Sequence, residues 1–129
     1  MRFMSFIRSE EPNPAGPPPP ELFAAVGEFA QEMSVAGVLV DMGGLLPSSA
    51  GAVVSLVDGR ISAVDGPFTE AKELIGGYAV LEVRSREEAV ELARRLLVVH
   101  QRLWPGWRGS CEVRQIEDDD HPHPDLPRP

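Results

Sequence analysis

The 129-residue chain predicts an α+β fold, ordered β-α-β, hairpin, β-α-β. Three observations lead there. Two stretches repeat apolar residues at helical spacing, short apolar runs of strand length surround them, and an Asp58-Gly59 dipeptide stands between two such runs. Length alone suits one domain, large enough to bury a core without disulfides or a metal.

Residues 2–8 read as the first strand, apolar on both faces through Phe3, Met4, Phe6 and Ile7. Glu10 to Pro20 holds six prolines and one glycine, so a Pro-rich loop is expected there, extended and poorly packed. It ends where Pro20 fits the first turn of a helix. Leu22, Val26, Phe29 and Met33 then fall on one face of a helix over about 20–36, and Gly37 sits at the capping position. Gly27 inside that helix costs about 1 kcal/mol relative to Ala. Val38 to Leu46 reads as a strand with an irregularity at Gly43-Gly44, and Pro47 to Gly51 as a loop.

Val53–Val57 and Arg60–Val64 flank Asp58-Gly59, a dipeptide suited to a type I′ turn because both central residues need positive φ. Thr69 is placed to cap a short helical segment over Thr69–Ile75, and Gly77–Arg84 makes another strand. Ser85 and Glu88 form an S-x-x-E capping box that opens the second helix. Ala89, Leu92, Ala93, Leu96, His100 and Leu103 keep its 3.6-residue period, and Trp104-Pro105-Gly106-Trp107 ends it. Cys111–Ile116 is the last strand. The order is the ferredoxin-like plan with extra strand length in the middle. Residues 1–116 make the domain, and 117–129, acidic and rich in proline, are expected to stay disordered.

Helices of this plan cover one sheet face only. Yet Val53 and Val57 stand opposite Val54 and Leu56, while Ala79, Leu81 and Val83 stand opposite Tyr78 and Val80. A second copy of the chain is the simplest cover for the remaining apolar face, so a homodimer is expected.

The net charge of −8 argues against nucleic-acid partners, which need clustered Lys and Arg. About half of that charge lies in the tail, in Glu117, Asp118, Asp119, Asp120 and Asp125. No run approaches the roughly 18 apolar residues of a membrane span. A single Cys111 excludes an internal disulfide and, with no secretory segment at the N-terminus, suits a reducing cytoplasm. No G-x-S-x-G, Walker, Rossmann or C-x-x-C pattern is present, so no cofactor is expected. His121 and His123 in the tail make a poor metal site, and no metal is expected either.

The densest chemistry is Asp65-Gly66-Pro67-Phe68-Thr69-Glu70-Ala71-Lys72-Glu73, running on to Gly76-Gly77-Tyr78. Lys72 is the only lysine against eleven arginines, which suits a place wanting a compact ammonium. Asp65 is either a turn residue accepting backbone N–H groups or a carboxylate at the mouth of a cleft. Lys72 and Glu73 point about 100° apart on a helix, so Lys72 is expected to pair with Asp65 or a Glu. Such a pair orients an anionic ligand, performs acid–base work or holds the turn. Phe68 reads as an anchor plugging the core. His100, on the apolar stripe of the second helix, reads as a satisfied boundary residue, and Cys111 as a buried strand thiol.

These residues resemble the YCII-related family in its DGPF branch, through Asp65, Gly66, Pro67, Phe68, Glu70, Lys72, Glu73, Gly76, Gly77 and Tyr78. The closing Glu112-Val113-Arg114 is similar to the family's final strand, usually E-V-R-P, with Gln115 in place of Pro. The resemblance spans Arg2 to Ile116 and implies a bacterial protein forming a dimeric α+β barrel in which two sheets face each other. With the residues above, it leaves two functions open. One is a ligand-binding, regulatory or accessory protein linked to an extracytoplasmic-function sigma factor, with Gly66, Pro67, Phe68, Glu70, Glu73, Tyr78 and Arg114 as motif or ligand-binding residues. The other is a lyase- or hydrolase-type enzyme using Asp65 with Lys72 in an inter-subunit cleft. The family's proposed histidine–aspartate pair needs a histidine near the first helix, and this chain has none before His100.

Overall fold

The computed structural model describes residues 1–68 and 73–118. Its elements are β1 (Arg2–Ser9), α1 (Pro20–Val35), β2 (Leu39–Gly44), a 3₁₀ turn (Ser48–Ala50), β3 (Ala52–Val57), β4 (Arg60–Asp65), β5 (Leu74–Glu82), α2 (Arg86–Leu103) and β6 (Gly109–Gln115). Four strands form an antiparallel sheet in the order β2-β5-β1-β6. With the β3–β4 hairpin set aside, this is the split β-α-β arrangement of the ferredoxin-like fold. The extra strand length in the middle of the chain does not widen this sheet: β3 and β4 pair only with each other, as a separate two-stranded sheet.

Local chemistry explains the element ends. Gly37, at φ 74°, closes α1 in a Schellman motif: its N–H donates to Ser34 O and the Val38 N–H donates to Met33 O. At the start of α2, Ser85 Oγ accepts from the Glu88 N–H at 3.1 Å. The Glu88 carboxylate accepts from the Arg84 N–H at 3.1 Å, one residue before the partner a standard capping box uses. Asp58 and Gly59 take φ values of 51° and 77°, as a type I′ turn requires.

The register of β1 sorts its side chains. Phe3, Ser5 and Ile7 stand opposite Leu81, Ala79 and Gly77 of β5 on the face the helices cover. Phe3, Leu81, Val83 and Ala89 form the buried cluster there, with Val38, Leu39, Leu92 and Val113 packed against it. Leu22 and Met33 add the buried side of α1. The helices are clamped together by Arg95, whose Nη2 donates to both Glu32 carboxylate oxygens at 3.0 and 2.9 Å and whose guanidinium lies 4.8 Å above the Phe29 ring.

Three expectations differ from what is found. Leu74 and Ile75 belong to β5 rather than to a short helix, because they pair with Ser9 and Arg8 of β1, with Gly76 absorbing an irregularity in register. The Pro-rich loop is tied down. Trp104 Nε1 donates to Ala15 O at 3.4 Å, Asn13 Nδ2 donates to Arg108 O at 3.3 Å, and Glu11 accepts from Ser48 at 2.9 Å. Phe68 lies half-buried beside Gly51 and outside the core cluster. The disorder expected of the acidic tail falls, from residue 119 on, outside the described residues.

The turn after β4 is packed so closely that a Cβ on Gly66 would collide with the Ser48 carbonyl oxygen. Gly27, in contrast, has open space around its Cβ position. Gly66→Ala is therefore expected to destabilise the fold by about 2–4 kcal/mol. Gly27→Ala should stabilise it by about 0.5–1 kcal/mol. Thermal melts of the two variants should move in opposite directions, and a Gly66→Ala melt equal to wild type would overturn the packing of this turn.

Candidate functional site

Two places bring together residues of interest: the turn at the base of the hairpin, and a hollow beneath α1. At the turn, the Gly66 N–H donates to Gly51 O at 2.9 Å and the Phe68 N–H donates to Ser48 Oγ at 3.0 Å. Ser48 in turn donates its N–H and its hydroxyl to the Glu11 carboxylate. Backbone groups of the turn are thus held by the 3₁₀ segment and the Pro-rich loop. Asp65 closes β4 opposite Ala52 and is exposed. Among the described residues no hydrogen bond or ion pair reaches its carboxylate. Pro67 and Glu73 are also exposed, while Glu70 and Lys72 lie outside the described residues, as does the cap expected of Thr69.

Tyr78 and Arg114 belong by register to the sheet face turned away from the helices. Tyr78 stands opposite Phe6, and Arg114 opposite Met4. The Tyr78 ring lies across β2, where a Cβ on Gly43 would come within 2.8 Å of it, so the glycine is what admits the ring. On the same face Glu112 pairs with Arg8 at 3.1 Å and with Arg114 at 3.5 Å. Met4, Phe6, Tyr78 and Val80 form an apolar strip beside that ladder.

The hollow has a cause that can be followed from the sequence. Gly43 and Gly44 of β2 pair with Tyr78 and Gly77 of β5, and the Leu45 N–H reaches Gly76 O at 2.9 Å. Gly44 and Gly77, paired across β2 and β5 on the face turned to α1, therefore supply no side chains to fill the space beneath it. Ala79, Ala30 and Ala93 are small as well. What remains is an apolar chamber of about 330 Å³. Its roof is Leu22, Val26, Phe29 and Met33 of α1, its floor Ser5, Ile7 and Ala79, and its inner wall Leu92, Leu96 and His100 of α2.

Polar side chains in this lining are few. Ser5 is buried, with its Oγ 3.1 Å from Cys111 Sγ. Burial pushes the Cys111 thiol above its ordinary pKa, and the Ser5 hydrogen bond offsets only part of that rise. His100 is 8% exposed, with Nδ1 2.9 Å from Leu96 O. The Trp107 and Trp104 rings lie beside its ring at centroid distances of 4.5 and 6.3 Å. His100 is thus held as a boundary residue would be, and it also lines a chamber. The paired glycines were the available signal for that chamber, since two Gly-Gly dipeptides in adjacent strands leave one position of each strand without a side chain on the α1 face.

The model of the YCII-related domain matches residues 1–117. The chain belongs to the YCII-related family. A YCII-family chain of this size also matches an uncharacterized protein of Rhizobium meliloti (strain 1021), with 36% identity over 81 residues, which is 63% of this chain. The match covers 61% of that relative's length. Among the described residues of this YCII domain, no helix is long and apolar enough to cross a membrane, and no cluster of His, Cys, Asp and Glu is placed to hold a metal ion.

The state of Cys111 has a measurable consequence. A thiol with a raised pKa exposes little thiolate, so Cys111 should react with a disulfide reagent at pH 8 at least about tenfold more slowly than a cysteine in an unstructured peptide. Because the Ser5 bond lowers this pKa, Ser5→Ala should slow the reaction further. Any stability that depends on the protonated thiol is complete below the unfolded pKa of about 8.5 and declines as pH rises through the higher folded value. Reaction at the peptide rate would show an accessible, unshifted thiol.

Proposed function

We propose that this YCII-family chain is a homodimeric small-molecule-binding protein with a regulatory or accessory role, and that the chamber beneath α1 is its ligand site. The observation that carries the reading is the open apolar volume of about 330 Å³ between α1 and the sheet. That lies at the lower end of the range for small-ligand pockets, which are mostly apolar with a few placed polar groups. Ser5 and His100 are polar groups of that kind.

The homodimer is supported by the hairpin. β3 and β4 pack mainly on each other, and Val54, Leu56 and Ile61 are 69, 70 and 76% exposed. A lone two-stranded hairpin is marginal in water, and an apolar one calls for a covering surface. Val54, Leu56, Ile61 and Ala63 share one face of it, and Val53, Val57 and Val64 the other, so both faces offer contact to a second copy. The apolar strip of Met4, Phe6, Tyr78 and Val80 offers more. An extracytoplasmic-function sigma factor as the regulated partner, and the DGPF branch, are proposed from the resemblance of the Asp65–Tyr78 block. A cytoplasmic setting fits the single protonated thiol.

Light scattering should return about twice the 14.0 kDa chain mass at micromolar concentration. Leu56→Arg combined with Ile61→Arg should give the monomer. Apolar aromatic probes should raise the melting temperature of wild type and not that of Ala30→Phe, whose ring would fill the chamber. A monomeric wild type would remove the dimer, and a wild type indifferent to every apolar probe would remove the ligand site.

A further inference from the structure

We infer that the ligand of this chamber is a compact apolar molecule with a single hydroxyl group, a phenol or alcohol, and that His100 accepts the hydrogen bond of that hydroxyl. The inference rests on the reading of the chamber as a ligand site and adds which chemistry it selects.

The lining decides most of the question by its charges. Among the described residues, no Arg, Lys, Asp or Glu side chain lines the chamber. A carboxylate or phosphate entering it would lose its hydration without gaining a cation, and an ammonium would lose its own without gaining an anion. The occupant is therefore neutral. The apolar residues of α1 and the sheet favour a molecule that is mostly hydrocarbon.

His100 supplies the one directional demand. A carbonyl oxygen can only accept, so the 2.9 Å contact between Nδ1 and Leu96 O requires a hydrogen on Nδ1. In the neutral imidazole this leaves the lone pair on Nε2, which has no hydrogen-bond partner among the described residues. The Trp107 and Trp104 rings and the helical hydrogen bond hold the imidazole in this orientation, more than nine-tenths buried. A fixed acceptor in an apolar wall discriminates for a donor, since a ligand without one leaves the acceptor dry. Of the other described lining residues with polar side chains, Ser5 already shares its hydroxyl with Cys111, and Tyr78 is turned by register to the opposite sheet face. An amide ligand would bring a carbonyl needing a donor besides, whereas a hydroxyl meets the His100 acceptor with its single hydrogen.

The test uses three molecules of one shape, p-cresol, toluene and p-toluate, with affinities measured by calorimetry on the full chain. Wild type should bind p-cresol about fivefold to tenfold more tightly than toluene and should not bind p-toluate measurably. His100→Phe should bring p-cresol down to the toluene affinity with toluene little changed, and His100→Gln, which keeps an acceptor, should restore part of the preference. Equal binding of p-cresol and toluene by wild type would overturn the hydroxyl inference while leaving the chamber a ligand site. Binding of neither would overturn the ligand site as well. Tighter binding of p-toluate would show that a charge governs recognition. The wild-type comparison needs no variant to fold.

Discussion

The antiparallel pairing of β1 with β5 is the contact on which the rest of the molecule depends. It sets Phe3 opposite Leu81, Ser5 opposite Ala79 and Ile7 opposite Gly77 on one face. On the β5 side of these pairs, side-chain volume falls from Leu81 through Ala79 to Gly77. At the Phe3 end the helices meet a filled surface and the buried cluster forms, including Val83 and Ala89. At the Gly77 end they meet Ile7 and otherwise backbone, because Gly77 and Gly44 pair there. One register therefore produces both the solid core and the chamber next to it. A slip by one residue would exchange Phe3 and Ser5 for Met4 and Phe6 and remove both.

Two helices cannot cover two faces of a sheet, and the chain responds differently on each uncovered surface. On the outer face of the main sheet, Arg8, Glu112 and Arg114 form a charged ladder beside Phe6, Met4, Tyr78 and Val80. Exposed ion pairs of this kind contribute little stability, but they constrain which surface can dock there, since an unmatched charge is costly to bury. The hairpin has no such ladder. Its two faces are mostly Val, Leu, Ile and Ala, with Asp58, Arg60 and Asp65 at its ends. The turn at its base is held by Ser48 and Glu11, so the hairpin is anchored firmly while its surface is left open.

Much of the fold was legible because the signals are local. Caps at Gly37 and Ser85, the Asp58-Gly59 turn and the helical spacing of Leu22, Val26, Phe29 and Met33 each depend on neighbours within one or two turns of chain. The misreadings share a different cause. Leu74 and Ile75 follow a block with helix-forming residues, yet pairing with β1, more than sixty positions away, makes them strand. The Pro-rich loop has little apolar content of its own, but Trp104 and Arg108 from the far end of the chain hold it. The candidate site was legible only in pieces. His100 and the glycine pairs are plain in the sequence, while the chamber arises from register, helix placement and the pairing of Gly44 with Gly77 across two strands. The Asp65 block, which draws attention by its residue types, places its carboxylate in solvent.

Xenon binding followed by methyl NMR examines the chamber most directly, because xenon enters apolar cavities without a polar contact and depends on no chosen ligand. Saturable shifts confined to the methyl groups of Leu22, Val26, Leu92 and Leu96, with none at the Val83 end of the core, are the expected result. Shifts that stay linear with pressure, or that are no larger at these methyls than elsewhere, would mean that α1 closes onto the sheet and that no chamber exists.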